Sequence, residues 1–190
     1  MALIKRIFYL FTILIFFVQC NNTNKYEVKK GMVGSINKNT TIADLSKIFK
    51  EDSIVSNKTY LDTINSKKMF SLNDDEFDIY SKSGKKLLEI TATTQNDSLS
   101  KIKSVGIYDP NYVTDKGISL KSTFKDINEN YLVNNVETTL TSATLFIDEL
   151  NATISIDKKE LGISKFSTEE ILLNQIPDMA KIKYFTIWFN

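Results

Sequence analysis

A single thiol stands in the 190 residues, at Cys20, and there is no histidine anywhere in the chain. The only guanidinium is that of Arg6. These absences bound the chemistry. A Ser-His-Asp triad, a His general base and a Cys-His nucleophile all need imidazole. Zinc and copper sites recruit His or Cys. Beyond Arg6 there is no planar fork to clamp a phosphate or carboxylate through two parallel bonds. Asp, Glu, Lys, Tyr, Ser and Thr remain, which leaves a carboxylate-pair glycosidase or a Ser-Lys dyad open in principle. Asp44 and Asp126 could be read as such a carboxylate pair. Each follows a threonine by three residues, Thr41 and Thr123, and that spacing assigns them to helix caps. Asp74-Asp75-Glu76 with Asp78 could gather Ca²⁺, but the run lacks the glycine and terminal glutamate of an EF-hand loop, so it reads as a solvated acidic strand entry. No catalytic residue, metal or cofactor is expected, and the chain reads as a non-enzyme.

Cys20 closes an apolar run, Ile7 to Val18, that follows Lys5 and Arg6. A charged start, a short apolar stretch and a border residue read as an export leader. Twelve helical residues span about 18 Å, well short of a hydrocarbon core of about 30 Å. The border Phe17-Val18-Gln19-Cys20 resembles the lipobox of bacterial lipoproteins. It departs from the usual pattern at Gln19, where a small residue is expected, and at Phe17, where leucine is commoner. The resemblance implies cleavage before Cys20 and a diacylglyceryl group on its sulfur. It places the protein in the bacterial cell envelope, tethered to a membrane at the periplasmic face or cell surface. An ordinary secretory signal and an uncleaved anchor are the competing readings. One acyl chain anchors only marginally, so the expected diacyl group matters physically. The expected organisation is a signal peptide at 1–19, a lipidated tether at 20–30, and two units at 31–110 and 111–190.

With the leader removed, 22 basic residues face 23 acidic ones, a net charge of −1. No strong field steers nucleic acid, and no nucleic-acid partner is expected. The apolar content of 42% supports a packed core, and no disulfide framework is available. Two pairs of segments repeat in order. Thr41 to Phe49 matches Thr123 to Tyr131 at an offset of 82, and Lys101 to Tyr108 matches Lys181 to Trp188 at an offset of 80. Four of eight residues are identical in the second pair. This predicts an α+β fold of two tandem repeats of about 80 residues, each a short helix packed on an antiparallel sheet. Ile42, Leu45 and Phe49, then Phe124, Ile127 and Tyr131, form one apolar helix face in each copy. Period-two patterns predict hairpins at 76–93 and 144–156 and strands at 102–107 and 182–189. A strand is expected near Met32–Ile36 or Gly117–Leu120. A further helix is expected at Thr168 to Asn174, capped by Ser167 and Glu170 and stapled by Phe166. Whether the copies form separate lobes or one sheet is left open by the pattern.

Gly34, Thr41, Asp44, Leu45 and Phe49, and again Gly117, Thr123, Asp126, Ile127 and Tyr131, follow a strand, capped helix and meander. That order resembles the small-lipoprotein component of the outer-membrane barrel-assembly machine. It is also similar to the tandem repeats of β-lactamase inhibitor proteins. Both families open each unit with two helices where this chain has one, and the inhibitors' disulfides are missing. The resemblance implies a non-catalytic binding module and transfers no functional residue. The linker from Tyr108 to Gly117 could line a ligand cleft between the copies but reads as a hinge with Asp-Pro and Lys-Gly turns, and Trp188 and Phe189 could anchor a partner but read as core. The expected role is an envelope lipoprotein that binds or scaffolds an envelope protein or polymer. The alternatives are an inhibitor or immunity protein, and a carboxylate- or Ser-Lys-dependent hydrolase.

Overall fold

The computed structural model describes residues 24–56, 75–164, 167 and 169–189. The leader, Cys20, Asp74, Phe166 and Thr168 lie outside the described residues. Among the described residues, twelve strands form two sheets around two short helices, so the mixed fold is mostly β and an α+β label fits it loosely.

The large sheet has eight strands: β4 (Ser53–Ser56), β5 (Glu76–Tyr80), β6 (Lys86–Ala92), β7 (Ile102–Ile107), β9 (Asn135–Thr138), β10 (Ser142–Ile147), β11 (Ala152–Asp157) and β12 (Ile182–Trp188). Its order is β4-β5-β6-β7-β12-β11-β10-β9, antiparallel throughout. Two four-strand meanders therefore meet through their last strands, in one continuous sheet. At the seam Phe185 lies opposite Ile107, Thr186 opposite Gly106, Ile187 opposite Val105 and Trp188 opposite Ser104. Each meander carries a fourth strand, β4 or β9, beyond the three that the sequence pattern shows.

The second layer holds the helices and a small sheet of β1 (Glu27–Lys29), β2 (Met32–Val33), β3 (Ile36–Asn37) and β8 (Val113–Thr114). Its order is β3-β2-β1-β8, with β1 and β8 parallel. Two expectations are corrected here. The tether assigned to 20–30 ends earlier, because β1 is an inner strand and Val28 is completely buried. The segment from Tyr108 to Gly117 is no hinge, because β8 pairs with β1 and Tyr112 is buried against Tyr26 at a ring separation of 5.1 Å.

Helix α1 (Leu45–Ile48) follows a 3-10 turn at Ile42–Asp44, and α2 spans Phe124–Asn130. Both start as the caps predict. Asp44 accepts hydrogen bonds from the Thr41 N–H (3.0 Å) and hydroxyl (2.7 Å). Asp126 accepts the same pair from Thr123 at 2.7 and 3.0 Å. These bonds hold both carboxyls below the ordinary carboxylate range, the Thr41 hydroxyl and Thr123 N–H contributing most. Leu45, Phe49, Phe124, Ile127 and Tyr131 all enter the core. The expected helix at 168–174 is absent from its described part. Residues 169–172 form no regular element, Ile171 is buried with its N–H bonded to the Thr138 hydroxyl, and a 3-10 turn follows at Leu173–Gln175. Anchoring the buried Ile171 beside β9 outweighs the local helix signal.

One cluster joins the helices, the small sheet and alternate positions of the large sheet. Gly34 sits in the two-residue turn between β2 and β3. Its φ is +56°, and a Cβ there would lie 2.4 Å from the Lys25 carbonyl oxygen. Gly84, in the β5–β6 turn, has φ +78° with open space around it. Gly34→Ala is therefore expected to cost more than Gly84→Ala. The second should lose about 1 kcal/mol, from the left-handed backbone alone. The first should lose roughly 2–4 kcal/mol, because the backbone must also move. Denaturant unfolding of both variants checks the order, and equal losses would contradict it.

Candidate functional site

The strand alternation that buries Leu88, Val105, Ile107, Phe185 and Ile187 turns the intervening residues to the other face of the sheet. One row crosses all eight strands there, in register: Val55, Asp78, Glu89, Gly106, Thr186, Thr153, Phe146 and Asn135. Phe146, Thr153, Thr186 and Trp188 are half-buried, and Tyr184 is 48% exposed. This face extends across all eight strands of the large sheet. Gly106 lies at its centre with the Glu89 and Tyr108 side chains packed beside it, where a Cβ would meet both at ordinary contact distance.

Beside that centre lies a charged network. The Lys86 ammonium is 2.8 Å from Asp78 Oδ1 and 2.7 Å from Glu89 Oε2. It also sits 4.1 Å from the centre of the Tyr108 ring. Tyr108 donates to Glu89 (3.0 Å) and Tyr80 donates to Asp78 (3.2 Å). Partial burial pulls the Lys86 pKa down. The Asp78 and Glu89 bonds outweigh it, and the net shift is upward. Burial and the Glu89 carboxylate raise the Tyr108 phenol. Lys86 is thus a pinned cation, the opposite of what a Ser-Lys base requires. The solvated acidic entry is corrected in part: Asp78 is only 6% exposed, and its carboxylate is neutralised by Lys86. Asp75 instead accepts from the Asn96 N–H at 2.6 Å, so these carboxylates serve separate partners.

Trp188 is also corrected. It alternates with buried Ile187 and so lies on the open face, its indole N–H bonded to the Thr153 hydroxyl at 3.1 Å. Phe189 does pack against the core. Asp44 and Asp126 remain cap residues, each engaged by its own threonine. Sequence reasoning missed Lys158. It is completely buried, and its ammonium donates to the carbonyls of Leu140 and Ser167. In the run Asp157-Lys158-Lys159-Glu160 nothing but its phase relative to β11 distinguishes it from a surface lysine. It ties the β9–β10 turn to the strap at Ser167.

Two hollows flank the sheet. A cleft of about 700 Å³ runs along edge strand β9 and is lined by Asn135, Glu137, Thr138, Leu140 and Glu170. A pocket of about 350 Å³ lies where the chain enters the fold, with Val33, Phe49 and Tyr112 as its floor and Lys25, Lys50 and Asp52 at its rim. Among the described residues no helix is long and apolar enough to cross a membrane, and no group of three metal-ligating side chains converges.

Lys86→Met should leave the buried Asp78 carboxylate without its cation, at a cost of about 2–4 kcal/mol at neutral pH. Adding Asp78→Leu to Lys86→Met should recover much of the loss. Denaturant unfolding of both variants at neutral pH checks this. A double variant no more stable than Lys86→Met would contradict it.

No protein-family profile matches this chain, and no curated protein matches it. Its fold is similar to the crystal structure of the uncharacterized protein yfeY from Escherichia coli, with a TM-score of 0.57 and 12% identity, covering 86% of this chain and 99% of that one. At that identity the likeness concerns the fold alone.

Proposed function

We propose that this protein is a membrane-tethered envelope lipoprotein, anchored through Cys20. Its domain acts as a non-catalytic binding or scaffold module for an envelope protein or polymer. The observation that carries the reading is the open face of the large sheet. It spans eight strands and presents Tyr184, Trp188, Thr153 and Thr186 beside Gly106. Tyrosine and tryptophan beside small polar residues supply contact area at low entropic cost. The Lys86 network supports the non-catalytic part, since its cation is held between two carboxylates and cannot serve as a base.

We further propose that the large sheet arose from two copies of one unit. Thr41 bridges Lys101, and Thr123 bridges Lys181. Ile42 and Ala43 donate to the carbonyls of Ser100 and Ser98, while Phe124 and Lys125 donate to those of Ala180 and Asp178. Each second-copy acceptor lies 80 residues beyond its counterpart. The same offset relates Gly106 to Thr186, and these two face each other at the seam. Equivalent residues of an antiparallel pair meet only on a twofold axis, so a pseudo-twofold axis through that pair accounts for the sheet order.

Photo-crosslinkers placed at Tyr184 and Thr153 in the native envelope should give one discrete adduct. Thr186→Arg should abolish it. A crosslinker at exposed Met179, off this face, should not yield it. Adducts alike at all three positions would contradict a docking role for the open face. In parallel, a labelled fatty acid should enter the wild type and not Cys20→Ser. Equal labelling would remove the lipoprotein reading.

A further inference from the structure

The pocket beside Lys25 lies where the anchored end of the chain meets the folded body. Four residues separate Cys20 from Lys25, a reach of at most about 18 Å when fully extended. If Cys20 carries the lipid, this pocket is held close to the headgroups whatever the rest of the domain does. Its chemistry suits that place. The floor is apolar, with Phe49 and Tyr112 both buried. The rim carries charges of both signs. Lys25 approaches Asp52 only loosely, at 3.7 Å, and the Asp52 side chain is 9% exposed. Lys50 is exposed and makes no ion pair with a described residue. Glu51, beside Asp52, pairs with Lys82.

Lysines and a carboxylate around an apolar floor complement a small group that carries a phosphate and an ammonium a few ångströms apart. We propose that this pocket receives a zwitterionic phospholipid headgroup, with the ammonium toward Asp52 and the phosphate toward Lys25 and Lys50. The headgroup docks the helix-and-small-sheet layer on the bilayer. The open face of the large sheet, in the other layer, is then turned away from the membrane. The inference rests on the lipoprotein reading and adds an orientation and a ligand class to it. Charges in the headgroup layer act over about 8 Å at physiological salt, so only groups near the tether's end would feel them.

The test uses the full lipidated protein in vesicles. An acylated Cys20 has no free thiol, so one added cysteine is the sole labelling site. Fluorophores are attached in Ser35→Cys, at the pocket, and in Thr144→Cys, on the open face. The vesicles contain phosphatidylethanolamine and phosphatidylglycerol, with a headgroup-spin-labelled lipid as quencher. The Ser35 label should be quenched severalfold more than the Thr144 label. That excess should shrink when phosphatidylethanolamine is omitted, and equally in Asp52→Asn. Lys50→Gln gives a second reading should Asp52→Asn fail to fold. Equal quenching at the two labels overturns the orientation. An excess indifferent to the ammonium lipid and to both variants overturns the headgroup pocket. The mass of the amino-terminal peptide from the same sample separates these failures from loss of the lipid anchor itself.

Discussion

The pairing of β7 with β12 is the constraint on which the rest of the structure depends. Without it the chain would be two four-stranded meanders, each ending in an apolar strand with an unpaired edge. Ile107 and Val105 on one side, and Phe185 and Ile187 on the other, are almost completely buried. An exposed edge of that composition invites aggregation. Joining the two edges removes the liability and merges two small cores into one. The contact is far apart in sequence, but loop-closure entropy grows only slowly with chain length, whereas buried apolar area is gained in full. The free edges of the large sheet, β4 and β9, are short.

The two faces of the resulting sheet are unlike. One is sealed by the helices and the small sheet. The other is half-buried and carries polar and aromatic side chains, with its charges compensated inside the fold. Lysine does all the cationic work, since the described chain contains no arginine. It does so repeatedly against tyrosine: Lys86 over Tyr108, Lys116 over Tyr131 and Lys183 over Tyr184. A point charge on a flexible stem suits this use, in which the ring supplies one contact and a carboxylate the other.

Much of this was legible in the sequence, for identifiable reasons. Thr41-x-x-Asp44 and Thr123-x-x-Asp126 are local signals, and both cap as read. The β5–β6 hairpin follows from alternation around Ser83-Gly84, and β10–β11 from alternation around Asp148 to Asn151. Central placement of β12 follows from its apolar content. Less legible were features decided by partners distant in sequence. β1 is a three-residue strand whose parallel partner lies at 113–114, so no local period marks it. Glu170 and Ser167 imitate a helix start, yet Ile171 is wanted by the core beside β9. Asp78 looks solvated in an acidic run until strand pairing brings Lys86 across from Tyr80. Trp188 looks like core until its register with Ser104 is known. Lys158 gives no sign of its burial at all.

Both meanders share one cooperative sheet through the β7–β12 seam, and native-state hydrogen exchange reads that cooperativity residue by residue. Amides at 104–107 and 185–188 should be among the slowest in the protein. Slow amides in β6 and in β11 should exchange with the same opening free energy and the same denaturant dependence, since neither half opens alone. If one half exchanges through a smaller opening while the other stays protected, the halves are independent and the sheet is not one cooperative unit.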